Sequence, residues 1–426
     1  MFGFGKKKRK LKNGVIDKTV SYMMAVPKKQ ESIENPNEII QRLKNSELFK
    51  VEKAELNENI ELRIMYEDEV YDVELIPEEY SIGGMYTVNH HLTEENYKII
   101  TESSVGLTVA MTFGNSILES YHLQLKILAE AVPEMAGVID FCAEKILSGV
   151  WTKLAIEAEV PPCPDYIYSV QAISGENDEV WLHTHGLNRC GSIEVEILNS
   201  DKDNYKNHFY ILQTLAKRVI SDNKFINEEE PFWIGRMNNG EDLVATWIDY
   251  NEALKKYDKN ILGGLKDRED GHNENTGIVY LYLSEEDFEK KKYTHVSAVN
   301  DYISDNLLMM YTNEETLRMS LLAIDRLDYF VEGIKKDDIE GLMKIGLEVD
   351  DEYKNEDDTF REHIWFHIKE VNGLRARGIL TQEPYYIKDL KAETEMEVDL
   401  RHLTDWILYT PKGQITPDNV YLLEEN

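Results

Sequence analysis

The stretch Ile60-Glu61-Leu62-Arg63-Ile64-Met65-Tyr66 alternates apolar and polar residues, and Tyr71-Asp72-Val73-Glu74-Leu75 does the same beyond the acidic turn Glu67-Asp68-Glu69. A period of two places every second side chain on one face, so the two runs predict a β-hairpin with one buried face. Two more hairpins are expected downstream. The run Val180 to His185 leads through Gly186 and Gly191 into Ile193-Glu194-Val195-Glu196-Ile197. Phe232-Trp233-Ile234 and Leu243 to Ile248 flank Asn238-Asn239-Gly240, where Asn and Gly tolerate the positive φ of a tight turn. Val105 to Thr112 and Tyr280 to Leu283 add two strand candidates.

Helical spacing is interspersed with these strands. Ile117, Tyr121, Leu125, Leu128 and Val132 form one stripe, and Pro133 is expected to open a second helix with Met135, Val138, Ile139, Cys142, Ile146 and Val150 inside. Phe209, Leu212, Ala216 and Val219 supply a third. Ser284-Glu285-Glu286-Asp287, a near match to a capping box, begins a largely helical region. There Leu317, Leu321, Ile324, Leu327 and Val331 form an apolar stripe, and Asp337 or Asp338 caps a short final helix. Strands and helices intermingle without the rhythm of repeated βαβ units, so the expected fold class is α+β. The acidic run Glu348 to Asp358 carries few apolar anchors, as linkers do. The expected organisation is a basic tail over 1–14 and an α+β region over 15–347, divisible into two subdomains near 175. An acidic linker over 348–358 and a small, mostly β C-terminal module over 359–426 complete it.

The chain has 426 residues, 80 of them acidic and 47 basic, for a formal net charge of -33. That charge repels phosphate backbones and anionic lipid, which argues against nucleic acid and membranes as partners and is compatible with a basic protein or with solubility alone. Only three cysteines occur, Cys142, Cys163 and Cys190, too few for a disulfide framework, which suits a reducing, cytoplasmic setting. The basic start Lys6-Lys7-Lys8-Arg9-Lys10 is followed by Leu11-Lys12-Asn13-Gly14 and not by an apolar segment, so no secretory signal is read there. Ser103 to Leu118 is uncharged but too short and polar to span a bilayer.

His183 and His185 stand at i and i+2 of a strand and so project to one face, where two imidazoles could serve acid/base chemistry or begin a metal site. Cys190 and His208 are conceivable further ligands, yet the spacing matches no zinc signature, so neither metal nor cofactor is expected. His363 and His367 would pair on a helix, but Trp365 between them favours a strand, and no HExxH surrounds them. Gly3-Phe4-Gly5-Lys6 lacks the spacing of a phosphate loop, and no Gly-x-Ser-x-Gly elbow occurs. Trp365 and Trp406 read either as core or as aromatic anchors of a binding face, with Asp405 beside the second.

Glu362 with Trp365, Gly378 with Leu380 and Pro384, and Asp405 with Trp406 follow one another in order. This C-terminal pattern resembles the bacterial family known as domain of unknown function 2314. Trp181-Leu182-His183-Thr184-His185-Gly186-Leu187 and the helical hairpin expected around Pro133 resemble domain of unknown function 4026. Neither resemblance implies an activity. The resulting expectation is a non-enzymatic interaction protein, of inhibitor or immunity type, with a basic protein partner. The alternative is a hydrolase-like enzyme using His183 and His185 in a cleft of the larger region.

Overall fold

Glu67 and Asp68 both adopt left-handed backbone, at φ 45° and 61°, and Tyr66 pairs with Glu69 across them. Positive φ at both central residues is the turn whose twist matches that of antiparallel strands, so the first expected hairpin closes in two residues. It belongs to a sheet built from β1 (Ser21–Pro27), β2 (Lys50–Leu56), β3 (Ile60–Tyr66), β4 (Glu69–Glu79), β5 (Val105–Met111), β6 (Met135–Asp140) and β7 (Lys145–Ser148). The spatial order is β2-β3-β4-β5-β1-β6-β7. Ile60, Leu62, Ile64 and Tyr66 are buried on one face, and the helix Ile117–Ala131, capped by Ser116, is buried along almost its whole length.

The computed structural model describes residues 13–87, 91–237, 239–268, 275–303, 313–354, 360–411 and 413–424. The first twelve residues of the expected tail, Asn238 and part of the acidic run lie outside them. Two compact units emerge, one from residues 1–90, 101–146 and 164–312, the other from 91–100, 147–163 and 313–426. The fold class is α+β, as expected. Among the described residues no helix is long and apolar enough to cross a membrane.

A second sheet, also in the first unit, contains β8 (Ser169–Ser174), β9 (Glu179–His185), β10 (Glu194–Asp201), β11 (Phe232–Arg236), β12 (Asp242–Asp249) and β13 (Thr276–Tyr282). Their order is β11-β12-β13-β10-β9-β8, so both remaining hairpins form as expected. The helix Tyr205–Ser221 buries Ile211, Leu212, Leu215 and Val219. Residues after Pro133 form β6 and β7 and not the expected helix. All six residues of Met135–Asp140 are buried, and a strand covered on both faces shows a near-continuous apolar run that periodicity cannot tell from a buried helix.

The third sheet, in the second unit, contains β14 (Glu340–Glu348), β15 (Arg361–Asn372), β16 (Arg375–Leu380), β17 (Glu395–Asp399), β18 (Leu403–Thr410) and β19 (Gly413–Ile415). All its pairings are antiparallel. β14 pairs with β15 from Leu342 opposite His367 to Glu348 opposite Arg361. The acidic run is therefore the connection of a hairpin inside one sheet, and the module extends upstream of it. Of the run's described residues Val349 is buried and Asp351, Glu352 and Tyr353 are exposed, and strand β14 replaces the helix expected to be capped by Asp337 or Asp338. The helix Asn313–Asp325 turns Leu322 and Ala323 inward and leaves Leu317, Leu321 and Ile324 exposed, the reverse of the expected stripe. The Trp406 indole N–H donates to the Ala323 carbonyl at 3.0 Å, and Arg318 pairs with Asp418, contacts that hold the helix in this orientation.

The first unit carries a fully buried ion pair. Arg189, in the turn after β9, donates to both carboxylate oxygens of Asp140 at the end of β6, at 2.9 and 2.7 Å. It also bonds Ser21 Oγ on β1 and the Ile167 carbonyl, with the Phe113 and Tyr121 rings 5.5 and 5.3 Å from its guanidinium. Truncating one partner of such a pair strands the other charge without water. Arg189→Met is expected to destabilise the protein by about 3–5 kcal/mol, read from the urea unfolding midpoint. A loss below about 1 kcal/mol would show that the pair is not what joins these strands.

Candidate functional site

β9 brings Trp181, His183 and His185 to one face of the second sheet, as the period of two requires. The His183 ring stacks on Trp181 with centroids 4.1 Å apart, and His185 meets it edge-on at 4.8 Å. His183 is only 3% exposed. His185 Nδ1 lies 3.8 Å from the carboxylate of Glu144, which sits at φ 50° in the β6–β7 turn and accepts on its other oxygen from Gln171. One imidazole therefore has a carboxylate neighbour, while the other is packed as an aromatic. Cys190 and His208 are occupied elsewhere: the thiol faces the Gly186 carbonyl, and the His208 ring bonds Ser200 Oγ at 2.6 Å and Asn300 Oδ1 at 2.8 Å. Among the described residues no three or more His, Cys, Asp and Glu side chains are grouped to hold a metal.

The face carrying this ladder is covered by the segment 250–268. Gly263, at φ 78°, presses on Trp181, where a Cβ would fall 2.7 Å from the indole. Arg268 lies over the Tyr250 ring at 3.4 Å and pairs with Glu196, which also accepts from the Trp181 indole at 2.8 Å. Glu194 and Glu196, which the alternation places on a polar face, are both buried.

In the C-terminal sheet the expected binding residues separate. Trp406 is fully buried against Phe330 and is a core residue, so it presents nothing to a partner. Trp365 is half-buried on the opposite face, with the Lys344 ammonium 5.7 Å from its ring. Lys344 is the register partner of both Trp365 and Asp405. His363 bonds Thr404 Oγ1 at 2.6 Å.

Glu362 does something the sequence did not suggest. Its buried carboxylate accepts the backbone N–H groups of Tyr385 at 2.7 Å and Tyr386 at 2.9 Å, clamping the turn that follows Pro384. The turn holds an aromatic cluster at the surface: the Tyr386 ring lies 5.2 Å from Tyr353, 5.4 Å from Phe360 and 6.5 Å from Tyr385. Tyr385 is 81% exposed, and the other three rings are also exposed. Asp350, Asp351 and Glu352 flank the cluster, and Asp350 N–H donates to the Tyr386 carbonyl at 2.9 Å. Two adjacent tyrosines after a proline, with Tyr353 and Phe360 bounding an otherwise polar run, are the signal that could have revealed it.

Burial pushes the Asp405 carboxyl up to about 7, opposed by the Trp406 N–H that donates to it at 2.8 Å. A carboxyl whose folded value lies above its unfolded one, about 3.9, stabilises the fold while protonated. That contribution is complete below about pH 4 and is lost as the pH rises through about 7. Between about pH 4 and pH 8 the wild-type chain should lose more stability than Asp405→Asn, by up to about 4 kcal/mol, measured by urea unfolding across pH. Parallel curves would show that Asp405 ionises as freely folded as unfolded.

Three family models match the chain. Residues 21–162 match "Protein of unknown function (DUF4026) N-terminal", residues 170–280 match "Protein of unknown function (DUF4026) C-terminal", and residues 321–416 match "Uncharacterized protein conserved in bacteria (DUF2314)". No curated protein and no solved structure matches. The last match begins upstream of the acidic run, in the helix that packs on the third sheet, and the Glu362 clamp lies within it. The chain belongs to the DUF4026 family of unknown function and carries a DUF2314 segment at its C-terminal end.

Proposed function

We propose that this protein is a non-enzymatic interaction protein, of inhibitor or immunity type, that receives a basic segment of a partner protein on the aromatic patch of its C-terminal unit. The observation that carries this reading is the clamp: a buried carboxylate fixes a turn whose main load is two exposed tyrosines. Burying a charge is unfavourable unless its hydrogen bonds are satisfied, and exposing a contiguous aromatic group favours association. The pairing of the two makes sense where the rings must be presented in a set position. Faces of tyrosine and phenylalanine attract cations, and Asp350, Asp351 and Glu352 add charge-assisted acceptors beside them. The net charge of -33 would steer a basic partner toward the chain.

The hydrolase reading keeps one supporting observation, the carboxylate of Glu144 beside His185. A hydrolytic activity on ester, amide or phosphate-ester substrates that His185→Asn abolishes would establish it, and activity that survives that change would remove His185 from the chemistry.

With a peptide of Arg-Gly repeats as the basic probe, Tyr385→Ala should weaken binding about tenfold, mainly by faster dissociation. Leu283→Ala, an exposed apolar position in the first unit, should change nothing. Association should slow as salt shortens the Debye length from about 30 Å at ~0.01 M to about 8 Å at ~0.15 M. Equal affinity of the Tyr385→Ala variant and the wild type would show that the peptide responds to net charge alone.

A further inference from the structure

The aromatic patch already holds a cation of its own. The Lys388 ammonium lies 2.6 Å from Glu352 Oε1 and 6.0 Å from the centre of the Tyr353 ring. Its backbone N–H donates to Asp350 Oδ2 at 2.9 Å, which fixes the residue beside the patch. Glu352 and Tyr353 are neighbours in the chain, so one carboxylate and one ring face the same positive charge. Both members of the ion pair remain well exposed. Exposed pairs of this kind contribute about 0–1 kcal/mol, and about 6 Å is the outer limit of attraction to a ring face. The ammonium is therefore held loosely. A guanidinium suits the same two groups better, because its planar fork can take both carboxylate oxygens and its face can stack on the ring, while an ammonium is a compact and strongly hydrated charge.

We propose that Glu352 and Tyr353 form an arginine seat, filled in the unbound chain by Lys388 and taken over by an arginine of the partner segment. The inference rests on the reading of the patch as the partner surface and adds to it the side chain that is recognised and the group that must leave. Lys388 thereby sets a threshold: a partner binds only by competing with the chain's own cation.

The test is calorimetric titration of the full chain with an Arg-Gly repeat peptide and a Lys-Gly peptide of equal length and charge. The same titrations are made on K388M, E352Q and K391M. Lys391 is an exposed lysine of the same loop, so K391M reports what losing one positive charge does by itself. The arginine peptide should bind wild type about three- to tenfold more tightly than the lysine peptide. K388M should gain about threefold more affinity for it than K391M gains, and E352Q should lose the preference for arginine. Equal gains in K388M and K391M, or an arginine preference that survives in E352Q, would overturn the seat. If Tyr385→Ala still weakens binding in that case, the patch stands without the seat. If Tyr385→Ala has no effect, both fail.

Discussion

The first unit depends on a guanidinium that has no water around it. Removing Arg189 and Asp140 from solvent is unfavourable by several kcal/mol per ion, and the pair is tolerable because both terminal guanidinium nitrogens and both carboxylate oxygens are hydrogen-bonded. Asp140 receives Arg189 on both oxygens and also accepts the N–H groups of Cys142 and Ala143. Ser21, bonded to the same guanidinium, passes on to Gln124, which bonds the Ser21 and Val109 carbonyls. Strands β1, β5 and β6 are thereby tied to the turn that ends β9. The arrangement of His185 and Glu144 follows from this, since Glu144 lies four residues beyond Asp140 and His185 four before Arg189.

Buried carboxylates recur as pins for turns. Glu194 accepts from Gly186 and Asn188 N–H and from the Thr184 hydroxyl, and burial pushes its carboxyl up to about 7. Glu196 holds Arg268 and Trp181, and Glu362 holds the two tyrosine N–H groups. A carboxylate with two oxygens can satisfy several orphan N–H groups at once, which backbone geometry in a tight turn cannot do for itself. Part of the acidic excess is thus structural, and the remainder is available to act at a distance on a partner.

The surface proposed for binding sits where a sheet is least constrained, at the loop joining β14 to β15 and the turn between β16 and β17. Loops placed by a rigid scaffold commonly carry recognition. Here the scaffold is the core around Phe366, Met343 and Trp406, and Glu362 is the link from it to the loop. In β15, alternate residues serve the two purposes: Glu362, Ile364 and Phe366 face inward, while His363, Trp365 and His367 face the other way.

The sequence by itself determined the three hairpins, the α+β class and the shared face of His183 and His185. All of these follow from a period of two and from turn residues, which are local properties. It also carried Glu362, Trp365, Pro384 and Trp406 as an ordered pattern without showing what joins them. Tertiary structure alone decided that Met135–Asp140 is a strand, because burial on both faces erases the period that would have distinguished it. It alone turned Glu196 inward, since a covering segment more than fifty residues away supplies Arg268. It alone made a hairpin connection of a run that reads as a linker and brought Tyr353 and Phe360 to Tyr385 and Tyr386. Contacts between residues distant in the chain leave no local period, so these features became visible only when the strands were paired.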